Sequence, residues 1–321
     1  MPTETSAARL IVETLGTRTL NEHPEAPRHD QLLRRALRRR RVTLKPVGEH
    51  SQVFVFGGVV VGGMDSVVTT LVSAHARRIT ADPQLLRRHL QLQEVPLPAE
   101  QNDADQTHTD QADADPGSGD QRTGDQGAAD PGTTVVRPAP SAIRAFVVGE
   151  RVCASLLRLP ATVLGDGSST LSQLMQADAQ ARSRHALLAG TAVPVPADGS
   201  TPAAQDQLRS RGLDPDDVPA RGVPVQLQDS LEISAGGLTI DVTTVLPDAL
   251  HELAVEAVMA VPGLFAAAVD LRVPDLESAE GAVVLAVLPD ADISRAHLPA
   301  YGEPRDVAGA IADEILLRAS R

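Results

Sequence analysis

The chain has 321 residues, 42% of them hydrophobic, which is enough for two domains of ordinary size with buried cores. Only 2% of the residues are aromatic and none is Trp, so stacking surfaces for single-stranded nucleic acid are scarce. The net charge of -13 repels phosphate backbones and disfavours general nucleic-acid binding. A single cysteine, Cys153, excludes a disulfide within the chain and a CxxC metal pair.

The N-terminal sequence lacks a basic stretch followed by an apolar core, the pattern of a secretory leader. No apolar run approaches the roughly 20 residues that a membrane span needs. We therefore expect a cytoplasmic protein with no membrane partner.

The first marked feature along the chain is a basic run, LLRRALRRRR, from Leu32 to Arg41. Charge runs are most often the solvated face of a short helix, and that interpretation is favoured here. The alternative is a contact with an anion or a nucleic acid, which would weaken steeply with added salt.

Two local signals follow in the N-terminal part. The sequence QVFVFGGVVVGGM predicts a β-hairpin with glycine at the turn. It does not match a phosphate-binding P-loop, which continues with Gly-Lys-Ser/Thr, because Met64 and Asp65 follow Gly63. The sequence DPQLLRRHLQ predicts a helix with Asp82 as N-cap and Pro83 at its first position, followed by an extended exit, EVPLP.

A change of composition divides the chain. From Glu100 to Gly132 aliphatic residues are almost absent, and Asp, Gln, Gly and Thr recur. Such a segment cannot bury enough apolar surface to offset the entropy lost on ordering, so we predict a disordered linker. The predicted organisation is an N-terminal α/β part (1–98), a linker (99–140) and a C-terminal lobe (141–321).

The C-terminal part alternates strand and helix signals. IRAFVVGERVCASLLRLPATVL predicts two strands joined at Gly149-Glu150, and GDGSSTLSQLM predicts a loop and a helix capped near Ser169. LEISAGGLTIDVT predicts a strand with a glycine pair, and PDALHELAVEAVMAV predicts an amphipathic helix capped by Asp248. Two strands, LFAAAVDL and AVVLAVL, and a helix from Asp306 complete an α+β architecture.

Four of these segments carry a resemblance to a known family. IRAFVVGERVCASLLRLPATVLGDGSSTL, ISAGGLTIDVT, AAVDLRVPD and HLPAYGEPRDVAGAIADEI resemble, in order and approximate spacing, the ATP-grasp module of cyanophycin synthetases and of bifunctional glutamate-cysteine ligase/glutathione synthetases. RITADPQLLRRHLQLQEVPLP resembles an N-terminal segment of the same family more weakly. The resemblance implies an ATP-grasp-like fold, the cofactors ATP and Mg²⁺, an amino acid or peptide ligand, and amide ligation through an acyl phosphate.

The resemblance also implies roles for individual residues. The implied catalytic residues are Arg144, which would contact phosphate or the anionic intermediate, and, more weakly, Arg158 on the adjoining strand. The implied metal ligands are Asp270 and, more weakly, Asp290. The implied substrate-side residues are Ser234, Gly236, Gly237 and His297. From the residues alone, the two arginines fit pairing with Asp equally well, Asp270 fits a cap on the next element, and His297 is more often structural.

The sequence departs from the family where metal ligands are expected. The family pattern Glu-x-Asn-x-Asn falls on Ala286, Leu288 and Asp290, and Ala and Leu offer no oxygen to Mg²⁺. The family's Asp-Lys pair is Asp82-Pro83 here, and the linker stands where the lobe that closes over the adenine should follow VPLP. We therefore expect a retained substrate-side lobe, a largely missing nucleotide-closing lobe, and impaired or lost binding of ATP and Mg²⁺.

Two functional hypotheses result. The first is a degenerate ligase homologue with weak or no catalysis that acts as a binding, regulatory or scaffolding partner, either of an active ligase homologue or of a second copy of itself. The second is an active ATP- and Mg²⁺-dependent carboxylate-amine ligase that completes its site with Asp290, Asp292 or a partner chain.

Overall fold

A computed structural model describes residues 5–99, 141–193 and 208–320. The predicted linker falls outside the described residues apart from Ala99, so its disorder stays a prediction. The helices of the described part are α1 Ser6–Thr17, α2 His29–Arg39, α3 Ala74–Ala81, α4 Pro83–Leu92, α5 Leu171–Arg182, α6 Asp248–Met259, α7 Ser294–His297 and α8 Val307–Ala319. None of them is long and apolar enough to cross a bilayer.

Three antiparallel sheets accompany these helices. The strands are β1 Thr43–Pro46, β2 Ser51–Phe56, β3 Val59–Asp65, β4 Val68–Thr69, β5 Ser141–Val148, β6 Arg151–Leu159, β7 Thr162–Leu164, β8 Pro224–Gln226, β9 Leu238–Asp241, β10 Ala266–Val273 and β11 Val283–Leu288. The sheet orders are β1-β2-β3-β4, β11-β10-β5-β6-β9 and β7-β8. The predicted α+β architecture is confirmed.

The five-stranded sheet buries apolar side chains on both faces, because successive residues of a strand point to opposite sides. On one face, Phe146 and Leu156 pack with residues of α2, α8 and the four-stranded sheet. On the other, Val147 and Leu157 pack with α3, α4 and α6. Each fully buried apolar side chain of this kind contributes about 1.5–3 kcal/mol of burial free energy. The sheet is therefore the rigid platform on which functional side chains are placed.

The glycine turn of the predicted N-terminal hairpin is confirmed. Gly57 and Gly58, with φ of 58° and 86°, connect β2 to β3, and this pair of left-handed conformations is what a two-residue hairpin turn requires. The hairpin at Gly149-Glu150 is also found, between β5 and β6. Cys153 lies half-buried in β6, where burial raises the pKa of its thiol.

The helix caps follow the predictions with one correction. The Asp82 carboxylate accepts hydrogen bonds of 3.0 Å from two backbone N–H groups in the first turn of α4, as predicted. α5 is capped, as predicted, near Ser169: the hydroxyl of the next residue, Thr170, accepts from the third helical N–H. Asp248 is the first residue of α6 and not its cap, which is Pro247.

The predicted strand LEISAGGLTIDVT was too long. Only Leu238–Asp241 forms a strand, while Ile233–Ala235 forms a 3₁₀ turn. Gly236 ends that turn with φ of 90°, a left-handed conformation that interrupts an extended chain.

The basic run lies on α2 up to Arg39 and continues into the turn after it, and the opposite face of α2 buries apolar side chains such as Leu33 and Leu37. Several of its arginines are already paired within the chain. Arg34 lies 3.4 Å from an oxygen of Asp30, and Arg40 forms two hydrogen bonds with the Asp313 carboxylate on α8. This arrangement is that of a solvated helix face, the interpretation favoured from the sequence.

Candidate functional site

The candidate site is a group of charged side chains on one face of the five-stranded sheet. Arg144 of β5 lies directly across from Asp270 of β10 in the strand register. Arg158 of β6 lies across from Ala142, two residues before Arg144, so all three side chains share a face. The resemblance named these residues separately, and the sheet brings them together.

Two further residues complete what we call the arginine cluster: Arg144, Arg158, Arg295, Asp270 and Glu232. Arg144 Nε and Nη2 each donate to an Asp270 oxygen at 2.7 Å, a bidentate ion pair. Arg158 Nη1 lies 3.5 Å from Asp270 Oδ2, while its Nη2 donates to Glu232 Oε1 at 2.7 Å. Arg295 Nη2 donates to the other Glu232 oxygen at 3.0 Å.

The cluster is largely withdrawn from water and carries more positive than negative charge. The side chains of Arg144 and Arg158 are 5% and 10% exposed, and three guanidinium groups face two carboxylates. Burial lowers the pKa of Arg158, and nearby Arg144 lowers it further, while Asp270 and Glu232 oppose the shift. Arg158 Nε and Arg295 Nη1 are buried and have no hydrogen-bond acceptor among the residues that the structure describes. Buried donors of this kind are costly unless an acceptor reaches them, so the geometry suits an added anion.

The predicted substrate-side glycines shape the turn that presents Glu232. The backbone N–H of Gly237 donates to the Glu232 carbonyl at 2.8 Å. A Cβ at Gly237 would lie 2.5 Å from the Leu231 carbonyl oxygen and 2.8 Å from that of Glu232, so only glycine fits. Ser234 lies exposed in the same 3₁₀ turn. These glycines therefore contribute to the cluster by fixing the backbone beside it.

His297 lies at the end of α7 and contacts the start of α8. Its Nε2 accepts a hydrogen bond of 3.1 Å from the Ala308 N–H and lies 3.9 Å from an oxygen of Asp306, the N-cap of α8. Burial lowers the pKa of His297, although the Asp306 charge acts in the opposite direction. A neutral imidazole that accepts from a first-turn N–H has the geometry of a helix cap.

The implied metal ligands are placed as follows. Asp270 is paired with arginines, and its cross-strand neighbour on β11 is Ala286. Leu288 lies opposite Ala268, and Asp290 lies beyond it in an exposed turn, offset from Asp270 along the sheet. Within 5–99, 141–193 and 208–320, no three His, Cys, Asp or Glu side chains form a group that could hold a metal ion. The metal role of Asp270 and Asp290 stays a prediction.

Sequence reasoning did not identify Glu232 or Arg295 as site residues. Neither lies in a recognisable motif, although Glu232 comes four residues before the glycine pair and Arg295 two residues before His297. It also missed a second buried ion pair, in which Arg305 holds the Asp241 carboxylate by hydrogen bonds of 2.6 to 3.1 Å.

Comparisons with known proteins give relatives for part of the chain. No family model matches it. The glutathione biosynthesis bifunctional protein of Mannheimia succiniciproducens is 38% identical over 135 residues, which are 42% of this chain and 17% of that protein. The corresponding protein of Pasteurella multocida is 35% identical over 135 residues, with the same shares. The chain thus spans about a sixth of the length of these curated relatives.

The fold has a counterpart among solved structures. The crystal structure of a bifunctional glutathione synthetase from Pasteurella multocida matches with a TM-score of 0.66. The match covers 90% of this chain and 44% of that one at 17% sequence identity, so it bears on the fold alone. This chain accordingly has an ATP-grasp-like α+β fold and, over about 42% of its length, is a homologue of the bifunctional glutathione biosynthesis proteins.

Proposed function

We propose that this protein is a ligase homologue with weak or no catalysis, whose arginine cluster binds an anionic group, a phosphate or a carboxylate, and which acts as a binding or regulatory partner. The observation that carries the proposal is the convergence of Arg144, Arg158 and Arg295, with two buried guanidinium nitrogens that have no acceptor in the described part of the chain. Oxyanions suit such sites because planar guanidinium groups donate paired hydrogen bonds to them.

The donor set beside Asp270 does not suit Mg²⁺. This ion requires oxygen ligands in near-octahedral geometry, usually with one or two carboxylates. Both oxygens of Asp270 accept hydrogen bonds from Arg144, and the neighbouring positions on β11 are Ala286 and Leu288. Asp292, offered by the second hypothesis as a substitute, accepts from the backbone N–H and hydroxyl of Ser294. These contacts favour binding over metal-dependent phosphoryl transfer.

The active-ligase hypothesis remains the second candidate, because the relatives are bifunctional glutathione biosynthesis proteins. It would use ATP and Mg²⁺ to join a carboxylate to an amine. Calorimetric titration with ATP separates the two hypotheses when it is run with Mg²⁺ and again with a chelator. Metal-independent binding and no phosphate release with a panel of amino acids support our proposal, whereas Mg²⁺-dependent binding with amino-acid-dependent phosphate release contradicts it.

Two variants sharpen this test. Arg158→Gln removes a guanidinium at the centre of the cluster and should weaken ATP binding at least tenfold, since charged hydrogen bonds contribute about 1.5–3 kcal/mol. Arg151→Gln is a matched control, because Arg151 is exposed at the opposite end of the same strand. If Arg158→Gln and the unchanged protein bind ATP with equal affinity, the arginine cluster is not the binding site. That the partner is an active homologue or a second copy of this chain stays a prediction. Size-exclusion chromatography of this protein alone and mixed with such a homologue can test it.

A further inference from the structure

A concave site lies away from the arginine cluster. It is a cleft of about 510 Å³ between the end of α1, β7 and α5, within the size range of pockets that hold small ligands. Its apolar wall includes Leu15, Leu164, Leu174 and Ala177. Tyr301 also lines it.

Small residues on α5 leave the space open. Leu174, Ala177 and Ala181 recur at three- and four-residue spacing, so they lie along one face of α5 and line the cleft. The alanine side chains project little into the space between α5 and the end of α1. A larger residue at position 177, which is exposed to the cleft, would fill part of that space without entering the core.

The rim carries charges of both signs. Arg18 is exposed and has no ion pair with another described residue. Arg184 lies 2.9 Å from Glu22, and both residues line the cleft. Asp178 lies deeper and is paired with the buried Arg182 at 2.6 Å. With those pairs neutralised, Arg18 leaves the cleft with one net positive charge beside two carboxylates.

Tyr301 supplies a polar group to the lining of the cleft. Its hydroxyl makes no hydrogen bond with the described part of the chain, although the residue is only 8% exposed. Burial raises the pKa of Tyr301 to about 12, and the nearby Asp178 charge acts in the same direction. The hydroxyl therefore keeps its proton at neutral pH and is available to a ligand as donor and acceptor.

We propose that this cleft binds a small zwitterion with an apolar side chain, an amino acid or a dipeptide. The ligand carboxylate lies toward Arg18 and Arg184 at the rim, and its ammonium group lies toward Asp178. Its side chain packs against Leu164 and Leu174. The ligand carboxylate thus meets the uncompensated charge of Arg18, its ammonium group meets a carboxylate that is shared with Arg182, and its apolar part leaves water.

This site is distinct from the arginine cluster. Tyr301 forms a bridge with Ile240 and packs in the core on the face of the sheet that holds Leu157. Arg158, the next residue of β6, points to the other face. No residue of the arginine cluster lines the cleft, so the two proposals can succeed or fail separately.

The single tyrosine provides a local reporter. The chain has one Tyr and no Trp, so intrinsic tyrosine fluorescence reports on Tyr301 alone. We expect saturable fluorescence changes with leucine or leucyl-leucine. N-acetylleucine, which lacks the ammonium group, and leucinamide, which lacks the carboxylate, should each bind more weakly than leucine. No saturable change with leucine and leucyl-leucine, or equal binding of leucine and its two derivatives, would overturn the proposal.

Paired variants locate the binding. Ala177→Leu should weaken leucine binding at least tenfold by filling the cleft, whereas Gln176→Leu, an exposed change on the same helix outside the lining, should not. Arg18→Gln should weaken leucine binding about fivefold and leave leucinamide binding unchanged. Arg9→Gln, an exposed change within α1, is the control. Circular dichroism confirms that each variant folds. Unchanged leucine affinity in folded Ala177→Leu would contradict the assignment.

Discussion

Replacing Asp270 by Asn removes the carboxylate that lies between two arginines while keeping the size of the side chain. Arg144 donates to both Asp270 oxygens at 2.7 Å, and Arg158 lies 3.5 Å from one of them. Breaking a buried ion pair by removing one partner costs about 3–5 kcal/mol. The Asp270 side chain is 18% exposed, which allows some solvation and puts the expected loss of unfolding free energy near the lower end, about 3 kcal/mol.

The same substitution should raise the affinity for anions. In the unchanged protein, an incoming phosphate competes with Asp270 for the Arg144 and Arg158 donors. Once the carboxylate is gone, phosphate at about 100 times its Kd should restore roughly 2.7 kcal/mol of the lost stability. Urea denaturation followed by circular dichroism, in an anion-poor buffer with and without phosphate, measures both effects.

Asp290→Asn is the matched control, because Asp290 is exposed in a turn with no ion pair to a described residue. Its unfolding free energy should change by less than about 0.5 kcal/mol. A metal site built on Asp270 and Asp290 predicts instead that both variants lose Mg-ATP binding. An Asp270→Asn protein as stable as the original, or one that phosphate stabilises less than the original, would refute the reasoning.

Three further predictions test other parts of the fold. Arg305→Gln should lower the unfolding free energy by about 2–3 kcal/mol in urea titration, because it leaves the buried Asp241 carboxylate without its bidentate partner. Arg305→Lys should recover only part of that free energy. An unchanged urea midpoint in Arg305→Gln would contradict this prediction. Gly237→Ala should destabilise the fold by about 1–3 kcal/mol and weaken anion binding, since its Cβ would lie 2.5 Å from a backbone oxygen. Gly48→Ala, at a position with open space around it, should do neither. Equal effects of the two variants on stability and on anion binding would argue against the close approach at Gly237. Burial lowers the pKa of His185 below its usual value near 6.5, so the unfolded chain binds the proton first as the pH falls. The contribution of His185 to stability is full above about pH 6.5 and is lost below it, and urea midpoints measured between pH 5 and 8 should record the loss. If the midpoint of a His185→Gln protein falls just as steeply with decreasing pH, His185 is not the cause.

The parts of the fold that the sequence predicted are those determined by neighbouring residues. The hairpin turns at Gly57-Gly58 and Gly149-Glu150 and the cap at Asp82 each depend on residues that adjoin one another in the chain. The pairing of β7 with β8 joins Thr162 to Gln226, and no local pattern specifies a contact between residues so far apart. Such short strands are formed by tertiary contacts rather than by propensity.

The candidate site shows the same division between local and distant information. The resemblance indicated Arg144, Arg158 and Asp270, and the alternation of side chains along strands explains why they share a face. It did not indicate that Glu232 and Arg295, 63 positions apart, join them. That contact depends on how a glycine turn and a short helix meet above the sheet, which residue types alone do not specify.

The position of Glu232 bears on how the cluster would select a ligand. Its carboxylate bridges Arg158 and Arg295, as Asp270 bridges Arg144 and Arg158, so the cluster neutralises most of its own charge. A weakly charged anion gains little by displacing either carboxylate, because it replaces one ion pair with another. A group with two or more negative charges gains a net attraction to the three guanidiniums. The cluster should therefore favour phosphates over monocarboxylates, and competition calorimetry with phosphate and acetate measures the ratio; equal affinities would show that charge does not determine the selection.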